Sequence, residues 1–432
     1  MPVETTTLAN GLIVATEHRP HVESVVLGLW NHSGSRDERP EEHGIAHLLE
    51  HMAFKGTGRR SAEDIAVEIE NVGGEINAST SVETTSFFAR VLKEDVGLAT
   101  DILCDILRDS VFDEDELQRE KHVIAQELGA AMDTPDDIVF DRFAEAAFQG
   151  QPVGRSVLGT RETIETFSSD QLRSYLAREY GADRMIAVAV GAVEHDVFLR
   201  EIESRLSDLG PHAGAQRATD AVYTGGEFRE SRSLLDAQIL IGFEGKPFLA
   251  RDFYASQILA TVLGGGMSSR LFQEIRERRG LCYSVSAFHW SFSDAGLFGI
   301  HAATGEEDIE ELLPVLLDQI CTLSNDISEE EVSRARAQLR ASLLMSSESS
   351  MSRASQIARQ FLTHGRVLPR QEVLDRLNDI SAERIADLAH RTFMGSVPTV
   401  AGIGPLGPLM PYDAIQRRLG SSVVETRQAA AS

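Results

Sequence analysis

The stretch "HGIAHLLEHMAFKGT", residues 43–57, decides how the rest of the chain is read. It holds three histidines, His43, His47 and His51, with Glu50 beside the last and apolar residues in the gaps. On an α-helix, residues three and four apart share a face. His47, Glu50 and His51 therefore point one way, while Leu48 and Leu49 are free to face a core. Two imidazoles at i and i+4 can grip one zinc ion. Zinc takes about four ligands and a catalytic site leaves one position for water, so this helix is one protein ligand short. Glu50 suits a different task, because a carboxylate beside an activated water serves as its general base.

The missing ligand must come from elsewhere. The helix expected over "DEDELQREKHVIAQELGAAM", residues 113–132, offers Glu116, Glu120 and Glu127. Glu120 and Glu127 lie seven residues apart, on one face, but about 10 Å apart along the axis, so one ion can hardly take both. One of the two is expected to ligate and the other to hold a histidine from behind.

Around this core of chemistry the composition sets bounds. A chain of 432 residues suits two or three domains. Its 42% hydrophobic and 25% charged residues are those of a soluble globular protein. No apolar run approaches the roughly 20 residues of a membrane span. The net charge of -26 argues against a nucleic-acid partner. It fits basic peptides drawn by long-range attraction, and equally a plain solubilising surface. Cys104, Cys282 and Cys321 are scattered and make neither a disulfide framework nor a thiolate metal site. The N-terminal "MPVETTTLANGLIVATEHRP" has neither a basic n-region before an apolar one nor an Arg-rich transit pattern. A reducing cytoplasm is the expected location.

The first half alternates strands and helices. "GLIVATE" and "ESVVLGLW" read as strands, and "RPEEHG" as the first turn of the histidine helix. "SAEDIAVEIENVGG" is a second helix, with Ser61 and Asp64 as a capping box and Gly73-Gly74 as its stop. "EINAST" and "TTSFFARVL" read as a strand pair, and "EDVGLATDILCDIL" as an amphipathic helix. A long helical region over 113–148 is expected to break near Pro135, before the buried strand "RMIAVAVGAV" and a closing helix over 195–209. Residues 210–228, rich in Gly, Ala and small polar residues, read as a linker. Strands and helices then resume in a similar order, including strands at "AQILIGFEG", "LCYSVSAFHWS", "GLFGIHAATG" and "TVAGIGPL" and a helix over "SSRLFQEIRERRG". The expectation is an α+β chain of two similar domains, 1–209 and 229–432, each a mostly antiparallel sheet packed with helices and related by duplication. The tail "RQAAAS" has nothing to bury and is expected to be loose.

"HLLEH" is the inverted zinc-protease motif, His-x-x-Glu-His rather than His-Glu-x-x-His. With its surroundings it resembles the signature of the pitrilysin family of zinc metallopeptidases (inverzincins), among them processing-peptidase-like proteins. The resemblance covers nearly the whole chain and implies one zinc ion per chain, held by His47, His51 and Glu127, with Glu50 as base and Glu120 in a supporting role. "GGEINASTSVETTSFFARVL", residues 73–92, resembles the family's edge strand, which adds a substrate peptide as a further strand. Asn77 and Ala78 stand at the matching position. "RLFQEIRERRGLCYSV", residues 270–285, resembles the segment that supplies an Arg and a Tyr seven apart, here Arg276 and Tyr283. Tyr283 would stabilise the oxyanion and Arg276 hold the substrate backbone. Read without the resemblance, Arg276 is a helix-terminal cation and Tyr283 a strand core residue. "LGGGMSS", residues 263–269, resembles the family's glycine-rich loop.

The resemblance implies a zinc endopeptidase acting on unfolded peptides, with two domains facing a cavity. It implies a homodimer, or a heterodimer with a related subunit. A non-catalytic peptide-binding or scaffold subunit is the alternative, and the complete motif counts against it. Metal storage is disfavoured, since a lone site beside a glutamate base suits hydrolysis.

Overall fold

The computed structural model describes residues 2–213 and 220–420. The chain forms two compact units: Met1–Ala130 with Arg155–Ala218 and Leu344–Leu368, and Ala131–Gly154 with Thr219–Leu343 and Pro369–Ser432. These are not the contiguous halves 1–209 and 229–432. Each half lends a segment to the other unit.

The first unit is built on six strands: β1 (Glu4–Thr7), β2 (Ile13–His18), β3 (Ser24–Asn31), β4 (Glu75–Thr80), β5 (Thr85–Leu92) and β6 (Met185–Gly191). Their order is β1-β2-β6-β3-β5-β4, with β2 and β6 parallel and every other neighbouring pair antiparallel. Period-two alternation sorts β3 cleanly. Val25, Leu27 and Leu29 enter one core, and Val26 and Trp30 the other. In β6, Ala187 and Ala189 face the first core and Ile186, Val188 and Val190 the second. That two-sided burial is why "MIAVAVG" has no polar alternation.

The first face is covered by four helices: α1 (Ile45–Ala53), α2 (Ala62–Asn71), α3 (Val96–Arg108) and His195–Leu206. The second is covered by helix Ser350–His364, through Ala354, Ile357 and Ala358. A buried ion cluster fastens that helix. Glu17 accepts from Arg19 through Oε1, at 3.0 and 2.8 Å, and from Arg353 through Oε2 at 2.7 Å. Arg19 also binds the carbonyls of Ser347 and Glu348.

The expected break near Pro135 is present. The helical region is α4 (Glu114–Met132) followed by α5 (Pro135–Ala147), which opens on its proline. The capping box of α2 is also present, Asp64 N–H on Ser61 Oγ at 3.1 Å and Ser61 N–H on Asp64 at 2.9 Å.

In the second unit, β7 (Gly226–Ser231), β8 (Asp236–Glu244), β9 (Ser284–Ser291), β10 (Gly296–Gly305) and β11 (Thr399–Gly404) run in the order β7-β11-β8-β10-β9. Only β7 and β11 are parallel. This repeats β2-β6-β3-β5-β4 strand for strand, the mark of a duplicated unit. One face is covered by α5, whose Phe143 ring occupies the space that a Cβ at Gly242 would need. Helices Phe253–Gly264 and Ala382–Phe393 pack against the sheet as well.

The expected linker 210–228 is only partly irregular. β7 begins inside it, and the Tyr223 hydroxyl is bound to Thr399 Oγ1 at 2.7 Å and to the Val397 carbonyl at 2.9 Å. Its residues 214–219, and the tail "RQAAAS", lie outside the described residues.

The exchange of segments has a consequence for fragments. Residues 1–209 lack the helix that covers Val26, Trp30, Ile186, Val188 and Val190. At about 1.5–3 kcal/mol per large side chain, the exposure costs on the order of 10 kcal/mol, comparable to the whole stability of a domain. The isolated 1–209 fragment is expected to bind a hydrophobic dye and unfold without cooperativity. The same fragment extended by residues 344–368 through a flexible linker should melt more cooperatively and bind less dye, as checked by circular dichroism and dye fluorescence.

Candidate metal centre

The helix α1 does not begin at Pro40. Residues Pro40–Glu42 form a separate short turn, and Gly44, at φ +95°, breaks the chain before Ile45. A Cβ at Gly44 would stand 2.8 Å from Gly159 Cα, so both backbone conformation and packing demand glycine. The first amides of α1 are satisfied from a distance. Glu38, 3% exposed, accepts from Gly44 N–H and Ala46 N–H, each at 2.9 Å. His43 faces away from the motif's other histidines, with Nε2 on the Ser156 carbonyl at 2.7 Å.

From this start α1 buries Ile45, Ala46, Leu48, Leu49, Met52 and Ala53 and leaves His47, Glu50 and His51 on the half-open face. Glu127 of α4 meets them. Its Oε2 lies 3.6 Å from His51 Nε2 and 3.9 Å from His47 Nε2. One ligand atom from each of the three residues fits within a span of 4.8 Å. Metal–ligand bonds of about 2.1 Å place tetrahedral ligands roughly 3.4 Å apart, and both distances from Glu127 Oε2 come close to that spacing. Burial, aided by the neighbouring His51, pushes His47 down to about 4. It is thus the neutral imidazole a metal needs.

Glu120 takes no place in this group. Its Oε2 accepts from His51 Nδ1 at 2.9 Å and its Oε1 from Lys55 at 2.6 Å. With the His51 proton on Nδ1, toward Glu120, the Nε2 lone pair is left on the Glu127 side, free for a metal ion. Glu116 is engaged by Arg119 instead. Of the three glutamates the helix offered, the geometry therefore brings Glu127 to the histidines and sets Glu120 behind them. Burial raises the Glu50 carboxyl, against hydrogen bonding from Thr80 that lowers it. Glu50 Oε2 is buried without a partner, a carboxylate oxygen free to take a proton.

Thr80 ends β4, the outermost strand of its sheet, and its hydroxyl also reaches the Ala46 carbonyl at 3.5 Å. The strand carrying Asn77 and Ala78 is thus anchored beside α1. Asn77 Oδ1 accepts from Ala78 N–H at 2.8 Å, so this edge amide is covered by its neighbour's side chain.

Arg276 and Tyr283 belong to the second unit. The expected helix over 268–280 is wound there as a π-helix, Phe272–Glu277, a geometry frequent at functional sites. The Arg276 guanidinium stacks on Phe272 at 4.7 Å and lies 6.0 Å from the Tyr283 ring centroid. Tyr283 is 81% exposed and is no core residue. The glycine-rich stretch 263–269 closes helix Phe253–Gly264. Gly264 there lies against the Ala287 backbone, with no room for a Cβ.

Sequence reasoning missed Lys55, Thr80 and Glu38. Lys55 sits four residues past His51, and that periodicity could have found it. Glu38 carries no local signal, since it caps amides six and eight residues downstream.

A duplicated α+β chain with an inverted His-x-x-Glu-His helix in its first unit defines a class of metallopeptidase folds. The family model "Insulinase (Peptidase family M16)" matches residues 13–161, and "Peptidase M16 inactive domain" matches residues 166–339. An "Uncharacterized zinc protease" of Rickettsia felis is 38% identical over 92% of this chain and 96% of its own. A probable mitochondrial-processing peptidase subunit beta of Arabidopsis thaliana is 34% identical over 96% of this chain and 80% of its own. The chain belongs to the insulinase family, peptidase family M16. In fold it is similar to a protease from Helicobacter pylori, with a TM-score of 0.84 at 20% identity, covering 94% of this chain and 99% of that one. It is likewise similar to a chain of complex III2 from Candida albicans, at 0.83 and 23%, covering 96% and 99%. No helix among the described residues is long and apolar enough to cross a membrane.

The two glutamates of α4 are separable by metal titration. Glu127→Gln is expected to abolish tight zinc binding, whereas Glu120→Gln should weaken it by roughly ten- to a hundredfold. The reverse ranking would exchange their assignments.

Proposed function

We propose that the protein is a zinc-dependent endopeptidase that hydrolyses unfolded peptides bound as an added edge strand. The observation that carries this reading is the convergence of His47, His51 and Glu127 beside Glu50 on one open face. One zinc ion per chain would be held by those three residues. Bound zinc supplies Lewis acidity, which polarises a peptide carbonyl and makes a water molecule acidic. Glu50 takes the proton of the attacking water and delivers it to the departing amine nitrogen. A substrate strand pairs with β4, and the Ala78 amide exchanges Asn77 Oδ1 for a peptide carbonyl. Arg276 steadies the peptide backbone and Tyr283 donates to the oxyanion. The strongly acidic chain favours basic peptides.

The chain works in the cytoplasm as a homodimer of two-domain chains. A heterodimer with a related subunit is the second form, supported by the likeness to processing-peptidase beta subunits. A non-catalytic peptide-binding or scaffold role is the rival reading.

Two measurements test this. Glu50→Gln should keep fold and zinc but lose about a hundred- to ten-thousandfold in peptide turnover, since the amide accepts no proton. Near-normal hydrolysis of a quenched peptide by that variant, or none by the zinc-loaded parent, overturns the enzyme reading. Tyr283→Phe should lower kcat by up to roughly a hundredfold at unchanged zinc content. An unchanged kcat removes Tyr283 from the reaction.

A further inference from the structure

The histidine nearest Glu127 is one member of a line of charges that returns to its own helix. Lys55 lies just beyond the last residue of α1, with its amide on the Met52 carbonyl at 3.1 Å. His47, His51 and Lys55 follow at steps of four, which directs all three to the α4 side. The Lys55 ammonium sits 2.6 Å from Glu120 Oε1, while the other oxygen of Glu120 is 2.9 Å from His51 Nδ1. Each oxygen of this carboxylate therefore has one close partner. Glu120 is 5% exposed, and a charge so enclosed requires a cation beside it.

We propose that Lys55 is a positioning residue for the metal centre. Its ammonium pins Glu120 so that Glu120 holds His51 by Nδ1 and is kept out of the ligand set itself. The inference rests on the reading of His47, His51 and Glu127 as zinc ligands. It supplies what that reading lacks, a physical reason why one of two glutamates on the same helix face ligates and the other does not. Glu127 is the more open of the pair, with 42% of its side chain exposed against 7% for Glu120. A divalent cation attracts both carboxylates. Only Glu120 has a second cation already on it, and turning Glu120 toward the metal would break the Lys55 contact and release His51 together.

A lysine suits the position. Its flexible stem reaches across from the end of α1, and a cation is favoured at a helix C-terminus. The compact ammonium engages one carboxylate oxygen and leaves the other for the imidazole. The side chain is 30% exposed, so it can be replaced without opening a core.

The test is zinc affinity, measured by chelator competition on the full chain, with no activity assay required. Lys55→Met should weaken zinc by roughly ten- to a hundredfold, and Lys55→Arg should recover most of that loss. In a Glu120→Gln background, Lys55→Met should change affinity by less than about twofold, because its effect runs through Glu120. A merely structural role would lower the melting temperature without this non-additivity. Lys55→Gln, which keeps a polar end group, repeats the measurement if the methionine variant does not fold. A parent that binds zinc and a Lys55→Met variant that binds it equally well overturn the proposal alone. So does an undiminished Lys55→Met effect in the Glu120→Gln background. A parent that binds no zinc overturns the metal reading, and this inference with it.

Discussion

Both oxygens of Glu38 are committed to the amides of Gly44 and Ala46, and the site depends on that pair of hydrogen bonds. A helix of nine residues has few intrahelical bonds to offset the cost of its nucleus, and its first amides have no partner within it. A carboxylate at that end satisfies two donors at once and opposes the positive end of the helix dipole. Burial pushes the Glu38 carboxyl up to about 8, and the two amides offset only part of that rise. Because Glu38 reaches α1 from outside, the chain can break at Gly44 and set the helix at an angle of its own. The apolar side then meets the core and the histidines meet α4. Loop 154–160 and the helix after it, Arg161–Thr166, lock this entry, with His43 on Ser156 and the Thr163 hydroxyl on the His43 carbonyl at 2.6 Å.

A second constraint acts on the fold as a whole. Each central strand has two apolar faces, and a sheet apolar on both faces must have both covered in water. Both units answer it with helices from elsewhere in the chain. The first sheet takes Ser350–His364 from the far half, and the second takes α5 from the near half. Duplicated topology therefore does not mean two independent halves.

Local signals in the sequence were reliable where the physics is local. The i, i+4 histidines, the Ser61–Asp64 box, the Pro135 break and the apolar run of β6 all depend on residues within a turn or two of one another. The same holds for the choice left open between Glu120 and Glu127, since helical spacing puts both on one face and no more. Which one meets the histidines depends on Lys55 and on how α4 lies against α1, a tertiary matter. The segment exchange was illegible for the same reason. Nothing in "SMSRASQIARQFLTH" says which sheet its apolar stripe will cover. The turn "RPEEHG" misled because a proline followed by glutamates looks like a helix start whether or not a glycine later interrupts it. Tyr283 misled because alternation in "LCYSVSAFHWS" suggests burial, yet β9 begins only at Ser284.

The bond from Ala78 N–H to Asn77 Oδ1 has a further meaning for the resting protein. A sheet edge able to receive an arbitrary peptide is equally able to receive the same edge of another copy, which is the route to aggregates. By closing one amide on a side chain, β4 presents a foreign strand with a bond to displace rather than a vacant donor. A peptide that makes several backbone bonds along the strand can overcome that single loss, whereas a brief encounter between two edges gains less from doing so. On the proposed function, one asparagine thus sets a threshold length for adhesion, and keeps an edge that pairs with peptides from pairing with itself.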